Sequence, residues 1–247
     1  MSSDHQVAAA LAGEAADRLL ELQERAVATR TTGWQLEYTG DEVAHDLLMG
    51  RLAHERPEDP VLSEEGADRR SERVDSSRAW IVDPLDGSAG FGAGSVEWAV
   101  HVALTTDGLP TAAAVGAPGL GGVFSTGEVQ PLASPAEDRR PIVVTGRSKA
   151  WSVGRHLADA LDADLASCGS SGFKTMLVLG GHADVYAHPS PLYEWDVCAP
   201  AAVAAAHGLA VCDPSGAELR FNRFDPVVPG LIVARPELID ATLAALR

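Results

Sequence analysis

Apolar side chains recur at helical spacing near the start of the chain. The pattern runs from about residue 6 to residue 28 and stops before the polar segment 31–33, so it predicts an amphipathic helix. A second helix is predicted from about residue 41 to residue 55, because Pro57 and Pro60 follow it and proline cannot continue a helix. The chain is therefore expected to open with two helices.

Short apolar runs rich in β-branched residues come next and predict strands. They lie at 60–63, 79–83, 97–106, 111–117 and 121–125. A polar segment at 134–140 separates them from a second half in which strands and helices alternate. There we expect strands near 142–145, 184–187, 209–212 and 231–234, and helices near 150–162, 172–181, 196–207 and 236–246. The chain thus divides into an α+β half over residues 1–140 and an α/β half over residues 141–247.

Composition and charge exclude several classes of protein. A length of 247 residues with 46% hydrophobic content is sufficient for a buried core. No apolar run approaches the ~18 to 20 residues of a membrane span, and the first residues lack the features of a signal peptide. We therefore expect a cytoplasmic protein with no membrane partner. A net charge of −16 disfavours binding to nucleic acid, because such surfaces are basic, whereas bound metal ions would still admit a small anionic substrate.

The three cysteines, Cys168, Cys198 and Cys212, are widely spaced and form no Cys-x-x-Cys pair. This spacing predicts reduced, buried thiols rather than a disulfide framework or a zinc site.

The segment 80–88, Trp-Ile-Val-Asp-Pro-Leu-Asp-Gly-Ser, places two carboxylates at the exit of an apolar strand. Pro84 bends the chain, so Asp83 and Asp86 can turn toward one point while the Leu85 carbonyl supplies a third oxygen. The N–H groups that follow are available to an anion. Taken alone, the same residues equally describe an ordinary turn.

Two further acidic positions favour the metal interpretation. Glu64 and Glu65 follow the short apolar run 60–62, and Asp196 precedes a long alanine-rich run, where it could also serve as a helix cap. A cluster of Asp and Glu without His or Cys suits Mg²⁺ better than Zn²⁺. The candidate ligands are Glu64, Asp83, the Leu85 carbonyl, Asp86 and Asp196.

These motifs resemble those of the inositol-monophosphatase-like superfamily of magnesium-dependent, lithium-sensitive phosphatases. The resemblance rests on residues 83–88, on Glu64-Glu65, on Trp195-Asp196 followed by Ala199 and Gly208, and on Asp41 in Thr39-Gly40-Asp41. It covers nearly the whole chain and implies a layered α/β/α/β/α sandwich with the metal site at the junction of the two halves. Periodicity alone predicts only a mixture of α and β.

The resemblance also implies roles for these residues. Glu64 and Asp83 with the Leu85 oxygen would hold one ion, and Asp83, Asp86 and Asp196 a second, with two or three ions in all. The implied catalytic residues are Asp41, Glu64 and Ser88. In the family, a hydroxyl at the position of Ser88, more often threonine, contacts the attacking water and is supported by an aspartate matching Asp41. Gly87 and Ser88 would receive phosphate oxygens through their N–H groups.

Other residues suggest the substrate. The segment 169–174, Gly-Ser-Ser-Gly-Phe-Lys, opens a helix and would let Ser171 and Lys174 bind a second phosphate, the alternative for Lys174 being a solvated surface position. Together with Arg147 in Gly146-Arg147-Ser148 and with Glu194, this segment resembles the bacterial CysQ-type 3′(2′),5′-bisphosphate nucleotidases. Those enzymes remove the 3′-phosphate of adenosine 3′,5′-bisphosphate and related nucleotides of sulfate assimilation. The resemblance implies that Arg147 contacts the 5′-phosphate or the ribose and that Glu194 also binds substrate, although an exposed ion pair explains Arg147 equally well.

Alternatives remain open at this point. The nucleotidases commonly carry a basic and an acidic residue where this chain has Ala89-Gly90, which leaves inositol phosphate, fructose 1,6-bisphosphate and histidinol phosphate as rival substrates. A non-catalytic interaction protein on the same fold is expected to lose a metal ligand, and every ligand position is filled here. The superfamily also makes a homodimer an expectation.

Overall fold

Two five-stranded sheets form the framework of the protein, described here by a computed structural model for residues 2–135, 139–147 and 151–247, with the backbone alone at Trp151. In the first sheet the strand order follows the chain, β1 pairing in parallel with β2 and the later neighbours antiparallel. Its strands are β1 (Val61–Ser63), β2 (Arg78–Asp86), β3 (Ala99–Thr106), β4 (Leu109–Ala117) and β5 (Gly122–Ser125).

The second sheet is mixed. Its strands are β6 (Ile142–Thr145), β7 (Asp164–Ser167), β8 (Val185–His188), β10 (Ala210–Cys212) and β12 (Leu231–Ala234), and a separate pair joins β9 (Leu192–Tyr193) to β11 (Val227–Val228). The strand order is β10-β12-β8-β6-β7. β6 runs parallel to both β7 and β8, whereas β12 is antiparallel to its two neighbours.

Eight α-helices are described. They are α1 (Asp4–Thr29), α2 (Trp34–Glu55), α3 (Arg70–Asp75), α4 (Ser88–Gly92), α5 (Trp151–Ala160), α6 (Ser171–Leu179), α7 (Glu194–Ala206) and α8 (Ile239–Ala245). Short 3₁₀ turns occupy Pro118–Leu120 and Pro236–Leu238.

The helices and sheets stack in five layers. Helices α1 and α2 cover one face of the first sheet, and α1 approaches β4 so closely that a Cβ on Gly116 would lie 2.5 Å from the Ala12 carbonyl oxygen. Helices α6 and α7 fill the space between the two sheets, and α5 and α8 cover the outer face of the second. The successive residues Val143 and Val144 of β6 point to different cores, as alternation along a strand requires. This arrangement confirms the α/β/α/β/α sandwich.

Several predicted boundaries were wrong. The second helix begins at Trp34 rather than near residue 41, and Gly40 lies inside it. The glycine lets the helix pack directly on Leu85 and Phe91, because a Cβ on Gly40 would come within 2.8 Å of each of these side chains. Strand β7 was not predicted, since it is a short edge strand whose residues are partly exposed. The predicted helix at 236–246 is a 3₁₀ turn followed by α8.

Other expectations match the structure. Cys168, Cys198 and Cys212 are free and buried. Among the described residues, no helix combines the length and the apolar character that crossing a bilayer requires. The division near residue 140 stays a prediction: each sheet draws its strands from one side of it, but α6 and α7 pack in a core shared by both sheets. Ser148, Lys149 and Ala150 lie outside the described residues.

Candidate metal centre

A bulge at the end of β2 points two aspartates to the same place. Asp83 pairs with His101 and Asp86 pairs with Ala99, so three steps along β2 match two steps along β3. Without the extra residue, side chains three positions apart would point to opposite faces of the sheet. Pro84, which cannot donate a ladder hydrogen bond, lies inside this irregular stretch. The bulge therefore brings both carboxylates to the inner face.

Asp196 completes a cluster of three carboxylates. Asp83, Asp86 and Asp196 each offer one oxygen, and these oxygens lie within 4.8 Å of one another. Asp196 is the third residue of α7, whose N-cap is Tyr193. The cap position that the sequence suggested for Asp196 was therefore wrong by one turn. The three aspartates come from two parts of the chain that are more than 100 residues apart.

Glu64 joins the cluster from the neighbouring strand. Its N–H donates to the Val82 carbonyl at 3.4 Å, just beyond the parallel pairing of β1 with β2. Burial, followed by the charges of Glu65 and Asp86, raises the pKa of Glu64, while the neighbouring Asp83 opposes the rise. Glu64 is thus an acidic neighbour of the cluster, outside the three residues whose oxygens lie within 4.8 Å of one another.

Repulsion inside the cluster marks a place for a cation. Burial, followed by the charges of Asp86 and Glu64, raises the pKa of Asp83 well above its usual range, and burial followed by the Asp86 charge raises the pKa of Asp196 to about 7. Asp83 Oδ1 accepts the Leu85 N–H at 3.0 Å, but Asp83 Oδ2 is buried and has no hydrogen-bond partner among the described residues. A hard divalent cation with oxygen ligands fits these residues, because it would neutralise the repulsion and partner that oxygen.

His101 is a residue of this site that the sequence analysis missed. It is fully buried opposite Asp83, and its Nδ1 lies 3.0 Å from the Trp195 carbonyl oxygen. Its Nε2 lies 3.2 Å from Asp86 Oδ2, so the ring and the carboxylate form a buried polar pair. Burial lowers the pKa of His101, but the Asp86 carboxylate outweighs burial and the net shift is upward. A lone histidine in the apolar strand Ala-Val-His-Val-Ala was the available signal.

Residues at the start of α6 also bind Asp86. Asp86 Oδ2 accepts the Ser170 hydroxyl at 2.6 Å and the Gly172 N–H at 2.7 Å. Burial raises the pKa of Asp86, but the His101 ring and then the Lys174 charge bring it below its usual range. A Cβ on Gly172 would lie 2.0 Å from His101 Nε2, so only glycine fits there. Ser170, like His101, was missed because only the fold places it beside Asp86.

Lys174 and Ser171 point inward. Lys174 is only 5% exposed, and its ammonium group donates to the carbonyl oxygens of Gly169 and Ser170. Ser171 Oγ lies 3.2 Å from the Tyr186 hydroxyl. The solvated position considered for Lys174 was therefore wrong. A contact from either residue to a second phosphate stays a prediction.

Asp41 and the turn at Gly87 lie on the α2 side of the site. Asp41 lies inside α2 rather than at its start. Burial, followed by the charges of Glu65 and Glu64, raises the pKa of Asp41 to about 7, which places it in the field of the acidic cluster. Gly87 has φ +93°, a left-handed conformation that starts α4 at Ser88. The interaction of Asp41 with the Ser88 hydroxyl stays a prediction.

An ion pair joins the two halves beside this turn. Arg147, half exposed at the end of β6, pairs with Glu97. The same Glu97 oxygen accepts the Gly169 N–H at 3.2 Å. The Glu97 carbonyl would lie 3.0 Å from a Cβ on Gly87, so this pair sits against the Gly87 turn. The exposed ion pair offered as the alternative for Arg147 is present, and Glu97 is its partner.

Glu194 requires a correction. It was expected to bind substrate, yet it is 0% exposed, and its two oxygens accept the N–H groups of Asn222 and Arg223 at 2.7 and 2.9 Å. No surface of Glu194 is open to a substrate. Its role in this structure is to fix the segment 222–223 against the start of α7.

Comparison with known proteins gives a consistent result. A model described as the inositol monophosphatase family matches residues 2–247. A 3′-phosphoadenosine 5′-phosphate phosphatase from Mycobacterium tuberculosis is 38% identical over 92% of this chain and 88% of its own. The 3′(2′),5′-bisphosphate nucleotidase CysQ of Escherichia coli is 34% identical over 74% of this chain and 78% of its own. The crystal structure of CysQ from Bacteroides thetaiotaomicron superposes with a TM-score of 0.76 at 28% identity, covering 94% of this chain and 96% of that one.

Proposed function

Since the chain belongs to the inositol monophosphatase family, we propose that it is a Mg²⁺-dependent phosphatase that removes the 3′-phosphate of adenosine 3′,5′-bisphosphate. The observation that carries the phosphatase assignment is the cluster of Asp83, Asp86 and Asp196, with the unpartnered Asp83 oxygen at its centre. The names of the similar proteins support the nucleotide substrate.

The proposed ligands are Glu64, Asp83, the Leu85 carbonyl, Asp86 and Asp196, and they would hold two or three Mg²⁺ ions. When bound, the ions supply charge neutralisation for phosphate and acidify a coordinated water. Ser170 and Gly172 both donate to Asp86 Oδ2, which orients that carboxylate and leaves Oδ1 to face a cation. The buried contact between His101 and Asp86 also fixes the position of the Asp86 carboxylate before an ion binds.

Asp41, Glu64 and Ser88 are proposed to act on the attacking water. Ser88 would orient the water through its hydroxyl, and Asp41 would accept the Ser88 proton in a hydrogen bond. The N–H groups of Gly87 and Ser88 would donate hydrogen bonds to phosphate oxygens. The left-handed conformation of Gly87 supports this arrangement, because it turns the chain sharply at that point. No covalent intermediate is required.

Arg147 is the proposed contact for the 5′-phosphate, since its guanidinium is half exposed beside the Gly87 turn and Glu97 holds it in place. The side chains of Ser171 and Lys174 point inward from the first turns of α6, and we propose that they shape this side of the site. The location in the cytoplasm and the homodimer stay predictions.

The test is phosphate release from adenosine 3′,5′-bisphosphate, inositol 1-phosphate and fructose 1,6-bisphosphate with Mg²⁺. We expect the nucleotide to have the highest kcat/KM, loss of activity in EDTA, inhibition by Li⁺ and no productive replacement of Mg²⁺ by Zn²⁺. Asp86→Asn should nearly abolish turnover, whereas Asp240→Asn, an exposed carboxylate in α8, should leave it unchanged. A higher kcat/KM for inositol 1-phosphate would replace the nucleotide assignment by the alternative, and full activity in EDTA would overturn the metal mechanism.

A further inference from the structure

Two aromatic rings stack next to the acidic cluster. The rings of Tyr193 and Trp195 are 4.5 Å apart between centroids and inclined by only 7°. Trp195 packs against the shared core between the sheets, whereas Tyr193 is 52% exposed. One face of the Tyr193 ring is therefore covered by Trp195, and the other is open to solvent.

The backbone fixes this ring relative to the metal ligands. Tyr193 pairs with Val227 in the short β9–β11 ladder and is the N-cap of α7, whose third residue is Asp196. The Trp195 carbonyl oxygen lies 3.0 Å from His101 Nδ1, and the other nitrogen of that ring lies beside Asp86. The backbone of both aromatic residues is therefore fixed next to the cluster, so the open face of Tyr193 has a defined position before a ligand binds.

We propose that the open face of Tyr193 stacks on the base of the nucleotide whose 3′-phosphate lies at the acidic cluster. The inference rests on the proposed function, because it takes the substrate to be a nucleotide. A single ribose separates the 3′-phosphate from the base, and Tyr193 lies three positions before Asp196 at the start of α7, so one nucleotide can reach both. An aromatic face recognises any base, which makes this a site for the base as a class and leaves its identity to other contacts.

Other exposed aromatic side chains are poorer candidates. The Arg70 guanidinium lies 4.8 Å from the centre of the Phe224 ring, so that ring already has a cation on it. Tyr38 is 64% exposed on α2, three residues before Asp41, and it is the strongest rival. Within the parts of the chain that the structure describes, Tyr193 has a second ring stacked behind it and lies at the start of the helix that carries Asp196.

The experiment compares Tyr193→Ala, Tyr193→Phe and Tyr38→Ala in the Mg²⁺-loaded enzyme. KM and kcat are measured for adenosine 3′,5′-bisphosphate, and inhibition constants for adenosine 5′-monophosphate and for ribose 5-phosphate, which lacks the base. Tyr193→Ala should raise KM and the inhibition constant of adenosine 5′-monophosphate by about 5- to 150-fold, the range expected for one stacked base. The constant for ribose 5-phosphate should not change. Tyr193→Phe and Tyr38→Ala should behave as wild type.

Three results would overturn the proposal. Equal weakening of both inhibitors by Tyr193→Ala would show that Tyr193 only supports the start of α7. Unchanged constants would show that the face is not used for the base, and a simultaneous shift in sedimentation would assign it to a second copy of the chain. A selective loss in Tyr38→Ala would move the base to α2. Failure of the wild-type enzyme to hydrolyse adenosine 3′,5′-bisphosphate would instead refute the proposed function.

Discussion

Replacing Asp83 by asparagine should have opposite effects on stability with and without metal. In the metal-free protein, Asp83 is fully buried among like charges, and its Oδ2 has no hydrogen-bond partner. Asparagine has the same shape, so its Oδ1 can still accept the Leu85 N–H, while its amide group can donate to Glu64. The substitution therefore removes both the repulsion and the unpaired oxygen.

The magnitude follows from that unpaired oxygen. A buried polar atom without a partner costs about 1 to 3 kcal/mol, so we expect metal-free Asp83→Asn to be about 2 kcal/mol more stable than wild type. For a protein of this size the difference corresponds to a rise of about 4 to 8 °C in Tm. With Mg²⁺ at about 100 times its Kd, wild type should gain about 2.7 kcal/mol and the variant very little, so the order of stability reverses.

Thermal unfolding followed by circular dichroism, in EDTA and in Mg²⁺ at pH 8, measures both effects. Asp240→Asn serves as the control, because its exposed side chain is outside the cluster and both shifts should be absent. A variant that is less stable than wild type in EDTA, or that gains as much from Mg²⁺, would refute the reasoning that Asp83 is a repelled ligand in a metal site.

Three further predictions concern the same region. In EDTA the free energy of unfolding of wild type should fall as pH rises from about 4 to 7, because folding raises the pKa of Asp196 from 3.8 to about 7 and protonation therefore favours the folded state in that window. Urea unfolding at pH 5 and pH 8 tests this, and a higher stability at pH 8 would contradict it. Gly172→Ala should lose about 1 to 3 kcal/mol and weaken Mg²⁺ binding, since its Cβ meets His101, whereas Gly50→Ala has open space and should lose nothing. Lys174→Met should lower turnover of mono- and bisphosphates alike, because the ammonium binds backbone carbonyls; a KM increase confined to bisphosphates would show instead that it contacts the second phosphate.

The acidic residues of the site could be named from the sequence because each stands at a visible interruption of a pattern. Asp83 and Asp86 follow an apolar strand and flank Pro84, and Asp196 precedes an alanine-rich helix. Such breaks are local, so they can be read along the chain without knowing its fold. The layered fold came from the family resemblance, since periodicity alone could not order two mixed sheets.

Partners within the site depended on contacts between distant parts of the chain. Ser170 reaches Asp86 across 84 positions, and His101 reaches Trp195 across 94. The burial of Lys174 and of Glu194 likewise depends on what packs around them, although the sequence suggested that both contact the substrate. Local patterns determine which side chains are carboxylates at strand ends. Only sheet register and layer packing determine which of them are desolvated, and which neighbours set their charge.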